Sequence, residues 1–75
     1  MNIRIDYCGV RNYLPRASSL AAEIKKQLGL ESQLVRGSGG IFEVSVDGER
    51  IFSKKAEGRF PSEKEIVDKL RERAA

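Results

Sequence analysis

A chain of 75 residues with 14 Lys and Arg against 11 Asp and Glu, one Cys and no His has room for one domain, built from one sheet and two helices. A domain of that size buries only about 60% of the surface its unfolded chain exposes. The single Cys excludes an internal disulfide framework and suits a reducing compartment, the lack of His excludes the usual zinc, haem and iron–sulfur ligand sets, and the mild net charge of +3 bears on solubility more than on a nucleic-acid partner.

In chain order, the first element is an alternation. Ile3, Ile5 and Tyr7 alternate with Asn2, Arg4 and Asp6, the period of two that marks a half-buried strand. Arg4 and Asp6 break any apolar run, so neither a signal peptide nor a membrane span is expected there; the mature chain is expected to begin at Met1 and to be cytoplasmic. Cys8 falls at the exit of this strand, on the parity of Arg4 and Asp6, although parity often fails in a strand's last residue. The segment "PRASSLAAEIKKQLGL" predicts a helix over about 15–28. Pro15 suits its first turn, Leu20, Ile24 and Leu28 recur at i, i+4 and i+8, and Gly29 supplies the left-handed stop. "SQLVRG", 32–37, reads as a second strand, and a strand, helix and strand in this order make a right-handed parallel crossover.

The strongest local signal follows. Ile41 to Val46 and Arg50 to Ser53 flank Asp47-Gly48, the dipeptide of a two-residue type I′ hairpin turn. Gly58 and Pro61 then break the chain, and Ser62 with Glu65 forms a capping box before Ile66, Val67 and Leu70, predicting a second helix over about 62–73. The order is β-α-β-β-β-α, an α/β sandwich of one mixed sheet and two helices.

Cys8 is the one nucleophile placed where ligand sites lie in open α/β sheets, outside the carboxyl end of a strand. If the loop over 9–14 folds back, the sulfur could face the free N–H groups of the helix N-terminus, and Arg11 could add a fixed cation; both lower a thiol's pKa. The alternative is that a free cysteine is among the most often buried residue types and commonly behaves as a small inert hydrophobe. Spacing alone leaves both open. "GSGG", 37–40, lacks the helix and lysine of a phosphate-cradling loop and joins strands rather than the two helices that flank the glycine loop of a KH domain, so it is expected to be a flexible turn. Ser53 to Lys55 with Arg59 make a small basic cluster expected to be a solvated edge. Arg16, Lys25 and Lys26 are expected on the exposed face of the first helix, and Phe42, Phe52 and Phe60 in or beside the core.

The joint spacing of "YCGVRNYLPRASSLAAEIKKQL", "GGIFEVSVDGERIFSKK" and "GRFPSEKEIVDKL" resembles the selenoprotein W-like family, also called the Rdx family, over nearly the whole chain. The resemblance rests on Tyr7-Cys8-Gly9, Gly40-x-Phe42-Glu43-Val44, Ser53-Lys54-Lys55 and Gly58-x-Phe60-Pro61. It implies a thioredoxin-like two-layer sandwich with one mixed four-stranded sheet, and a Cys-x-x-Sec or Cys-x-x-Cys redox motif between the first strand and the first helix. By that match Cys8 is the catalytic thiol, Gly9 and Val10 are the spacers, and Arg11 stands in place of the selenocysteine or second cysteine. Without a resolving thiol, Cys8 cannot close an intramolecular disulfide.

Two readings follow. Cys8 acts as a monothiol oxidoreductase or redox sensor, with glutathione as co-substrate or a protein thiol as partner, and Arg11 stabilises the thiolate or holds a glutathione carboxylate. Alternatively, the fold persists as a non-enzymatic protein-interaction module that has lost the dithiol chemistry. Neither reading calls for a metal, a resident cofactor, nucleic acid or a membrane, and a monomer or weak dimer is expected. The resemblance also draws attention to Gly39-Gly40, which stands where a thioredoxin carries a proline beside its active site.

Overall fold

The fold, taken from a computed structural model that describes residues 1–74, follows from the apolar pattern of the strands. Strand β1 (Ile3–Cys8) is followed by helix α1 (Leu14–Leu28), strands β2 (Ser32–Gly37), β3 (Phe42–Val46) and β4 (Glu49–Ser53), a single helical turn α2 (Lys54–Glu57) and helix α3 (Glu63–Ala74). The sheet order is β2-β1-β3-β4, with β1 parallel to β2 and antiparallel to β3. Ile5 lies opposite both Leu34 and Val44, and Ile3 opposite Val46. One face of the sheet thus presents a continuous apolar surface.

That surface is covered by the stripes of α1 and α3. Ile3, Ile5, Phe42, Val44, Val46 and Phe52 from the sheet, Ala17, Leu20 and Ile24 from α1, and Ile66, Val67 and Leu70 from α3 form one buried cluster. Full burial of each large member stabilises the fold by about 1.5–3 kcal/mol. The opposite face carries Arg4, Asp6, Glu43 and Arg50. Asp6 and Glu43 stand side by side across β1 and β3, and each like charge is offset by its own cation, Asp6 by Arg4 and Glu43 by Arg50.

Local signals act as expected at the caps and turns. Asp47 and Gly48 have φ of 51° and 85°, the two positive values that a type I′ turn requires. Gly29 ends α1 in the left-handed region, its N–H donating to the Lys25 carbonyl at 2.9 Å. The capping box is reciprocal: the Glu65 N–H donates to Ser62 Oγ at 3.1 Å, and the Ser62 N–H donates to Glu65 Oε2 at 2.7 Å.

Two details differ from the sequence reading. Lys54 and Lys55 lie in α2 rather than on a strand edge, because Ser53 accepts a hydrogen bond from the Ala56 N–H and caps a helical turn at the end of β4. Arg59 stays exposed, as expected, but pairs with Glu65 rather than standing with the lysines: its guanidinium donates to both oxygens of Glu65, at 2.7 and 3.0 Å.

This fork, with the Ser62 N–H, holds the Glu65 carboxyl down at about 2. A folded-state pKa below the unfolded value contributes stability that is complete above about 4.5 and is lost as pH falls toward 2. Solvent screening limits the contribution of such an exposed network to about 1 kcal/mol. Glu65→Gln is expected to lower urea stability by that amount near pH 6 and by much less near pH 2.

Candidate functional site

Central placement of β1 puts its carboxyl end between the ends of two neighbours. The Cys8 N–H donates to the Ile41 carbonyl at 2.9 Å and the Gly9 N–H to the Gly37 carbonyl at 3.1 Å, so the backbone around Cys8 is fixed from both sides. The chain then turns tightly. The Asn12 N–H donates to the Gly9 carbonyl and the Tyr13 N–H to the Cys8 carbonyl, each at 3.0 Å. Asn12 completes the turn at φ 55°, a left-handed conformation that Asn tolerates better than most residues.

The Cys8 residue is 1% exposed, yet it lies outside the main apolar cluster. Its parity places it on the sheet face of Arg4 and Asp6, and the loop over 9–12 together with the Gly39-Gly40 turn shelters it. Cys8 is a free thiol. The Arg11 backbone N–H, facing the sulfur, is the largest influence on it and lowers its pKa; shielding from water opposes this, while the Gly40 and Val10 N–H groups and the Arg11 charge act in the same direction as the Arg11 amide, and the net displacement is downward. Converging amides of this kind form an anion-favouring nest.

The location of the activating groups differs from expectation. Helix α1 begins only at Leu14, after a Tyr13 N-cap without a side-chain cap bond, and the amides that face the sulfur belong to the loop and to Gly40, not to the helix terminus. Arg11 acts first through its peptide N–H and only weakly through its guanidinium. Gly40 is a second member of the site that sequence reasoning treated as a turn. Its φ is 74°, and a Cβ there would stand 2.9 Å from Arg11 Nη1 and 3.0 Å from Arg11 Cζ. The Arg11 side chain therefore rests on the bare Cα of Gly40. Of the spacers, Gly9 is partly covered and Val10 is 81% exposed at the loop tip.

Beside this loop, Phe60 gathers a cation–aromatic cluster. Its ring stands edge-on to Tyr13 and Phe42, Arg16 Cζ lies 4.0 Å from its centroid, and Lys54 Nζ lies 5.3 Å away. A groove of about 350 Å³ runs between the first turns of α1 and Phe60-Pro61; Arg16, Leu20 and Phe42 line it and Cys8 does not. No helix among the described residues is long and apolar enough to cross a membrane, and no group of three or more His, Cys, Asp or Glu among them could hold a metal ion.

Comparison with known proteins agrees with this architecture. A selenoprotein W-related protein from Vibrio cholerae superposes with a TM-score of 0.88 at 31% identity, over 95% of this chain and 92% of that one. A protein from Bordetella parapertussis superposes at 0.91, also 31% identical, over 96% and 95%. Among curated proteins, migration and invasion enhancer 1 of Bos taurus is 32% identical over 72 residues, which is 95% of this chain and 63% of that protein; the chain thus spans less than two thirds of that relative's length. A SelT-like protein of Arabidopsis thaliana is 61% identical over 31 residues, 41% of this chain and 15% of its own. The Rdx family model matches residues 2–72, and the chain belongs to the Rdx family, the selenoprotein W-like proteins.

Proposed function

We propose that this protein is a cytoplasmic monothiol redox protein in which Cys8 exchanges with disulfides, glutathione being the small co-substrate. The observation that carries the reading is the place of Cys8 at the carboxyl end of β1, free and under the loop that follows it, where neighbouring backbone N–H groups, that of Arg11 first, lower its thiol against the effect of shielding from water. An inert buried cysteine has no use for such donors. Apolar surroundings alone raise a thiol's pKa, whereas at Cys8 the donors outweigh burial and the net direction is down.

The chemistry is a single exchange. The Cys8 thiolate attacks one sulfur of a disulfide R–S–S–R, forming the mixed disulfide Cys8–S–S–R and releasing R–S⁻, which takes a proton from water. A second thiol R′–SH, acting as its thiolate, attacks the R sulfur, forms R–S–S–R′ and returns Cys8 to the thiolate. No internal thiol completes the cycle, because position 11 is Arg. The nest amides stabilise Cys8 as attacking thiolate and again as leaving group.

A protein-interaction module is the second reading, favoured by one observation: Val10 at 81% and Leu14 at 41% exposure put two apolar side chains on the outside of the loop that shelters Cys8. Replacing Cys8 by Ser separates the two readings. Loss of all glutathione adduct with loss of the redox phenotype supports exchange, and retention of the same bound proteins without any redox phenotype supports the module.

Titrating the alkylation rate of Cys8 against pH should give a midpoint below that of an ordinary thiol, and oxidised glutathione should add one glutathione to the intact mass. A midpoint at or above the ordinary thiol value with no adduct would sink the proposal. Because Arg11 acts mainly through its amide, Arg11→Gln should preserve most of the lowering. Gly40→Ala should remove more of it and cost about 1 kcal/mol in stability, since the new Cβ needs an unfavourable positive φ and meets the Arg11 guanidinium.

A further inference from the structure

The sheet order β2-β1-β3-β4 leaves β2 and β4 at the edges, and an edge strand offers unpaired N–H and C=O groups to any other extended chain. The two edges are guarded differently. On β4, Glu49 and Arg50 charge the first two residues, an irregularity at Val44/Ser45 interrupts the pairing with β3, the Lys69 ammonium donates to the Ile51 carbonyl at 3.0 Å, and Ser53 turns the chain into α2. None of these devices stands on β2. Its six residues pair with β1 without a shift, contain neither Pro nor Lys, and carry one charge, Arg36. That charge is set back from the edge: a Cβ on Gly9 would stand 2.4 Å from both Cζ and Nε of Arg36, so the guanidinium rests over the continuation of β1.

The strand is also charged with opposite sign at its two ends. Glu31 precedes it, exposed and paired with Lys25 of α1, while Arg36 near its exit has no carboxylate partner among the described residues. A second copy laid parallel to the first would set Glu31 by Glu31 and Arg36 by Arg36. Laid antiparallel, each copy brings its Glu31 to the end where the other holds Arg36. A two-fold axis perpendicular to the sheet makes that pairing and keeps the helix-covered faces of both copies on one side. In the register centred on Leu34, the two half-buried Leu34 side chains face each other, Gln33 stands opposite Val35, and Ser32 opposite Arg36, with Glu31 one residue further on.

We propose that the outer edge of β2 is a self-association surface, through which two copies pair antiparallel into one continuous sheet of order β4-β3-β1-β2-β2-β1-β3-β4. Because β1 runs parallel to β2, the carboxyl ends of the two β1 strands then point in opposite directions. The two Cys8 thiols lie at opposite ends of the sheet, and the dimer neither joins them nor depends on their chemistry. One short strand edge makes a small interface, which belongs to the weak, reversible class.

Sedimentation equilibrium of the intact chain under reducing conditions tests this. The average mass should rise with concentration from one chain toward two, with a dissociation constant of about 10 μM to 1 mM, and Cys8→Ser should leave that constant unchanged. Among the strands, backbone amide exchange should slow with concentration in β2 alone. Glu31→Arg and Arg36→Glu, both at exposed positions, should each weaken the dimer by about threefold to tenfold, since each turns two attractions into two repulsions. The double reversal should restore it. A single species of one chain at about 1 mM, a dimer lost on reduction or in Cys8→Ser, or single reversals that leave the affinity unchanged would each overturn the proposal. So would slowing of the β2 amides by an unrelated extended peptide of alternating Val and Thr while the chain alone stays monomeric, which would make the edge an acceptor for foreign strands.

Discussion

The central position of β1 is the constraint from which the site follows. Pairing on both sides lets Ile3 and Ile5 meet Leu34 and the Val44–Val46 segment within one apolar face, and the same pairing fixes the strand's last residue between the ends of β2 and β3. Cys8 cannot shift by one residue without turning Ile3 and Ile5 out of the core, because a one-residue slip exchanges the two faces of a strand. The register that buries the core is therefore also the register that aims the thiol. The groups that act on the sulfur then arrive from segments pinned to β1: Gly40 from the lead into β3, and the Arg11 and Val10 amides from its own continuation.

The arginine at the position of the missing second thiol takes on a different meaning in this geometry. In a dithiol motif the second sulfur closes a disulfide; here the peptide of residue 11 stabilises the first sulfur, an effect open to any residue that keeps the turn. What arginine adds is a side chain that crosses to the Cα of Gly40. The absence of a second thiol and the presence of these amides are thus independent features, and only the first rules out an internal disulfide. Cys8 is the single cysteine of the sequence, so in the proposed exchange an external thiol completes the cycle.

Much of the architecture was legible in the residues because each element carried its own punctuation. The Asp47-Gly48 turn, the Ser62–Glu65 capping box and the Gly29 stop are local devices whose effect depends on neighbours a few positions away. Helix α2 was missed because four residues without a buried side chain leave no periodic signal, and its only mark, Ser53 as a cap, sits inside a strand pattern. At the site, Cys8 was legible from its place after a strand. Gly40 was not, since its relation to Cys8 depends on pairing across the sheet. No local rule marks the Gly40 amide as acting on a sulfur 32 positions before it.

Cys8 also shows why burial alone is a poor guide to reactivity. At 1% exposure it looks like the inert cysteine that composition favours, yet it lies off the main core and under a single layer of loop. A core cysteine is surrounded by carbon, which opposes ionisation; Cys8 is surrounded by peptide N–H groups, which favour it. The layer that hides the sulfur is the same layer that supplies its donors. Shelter and activation are in this way two effects of one short loop resting against β1.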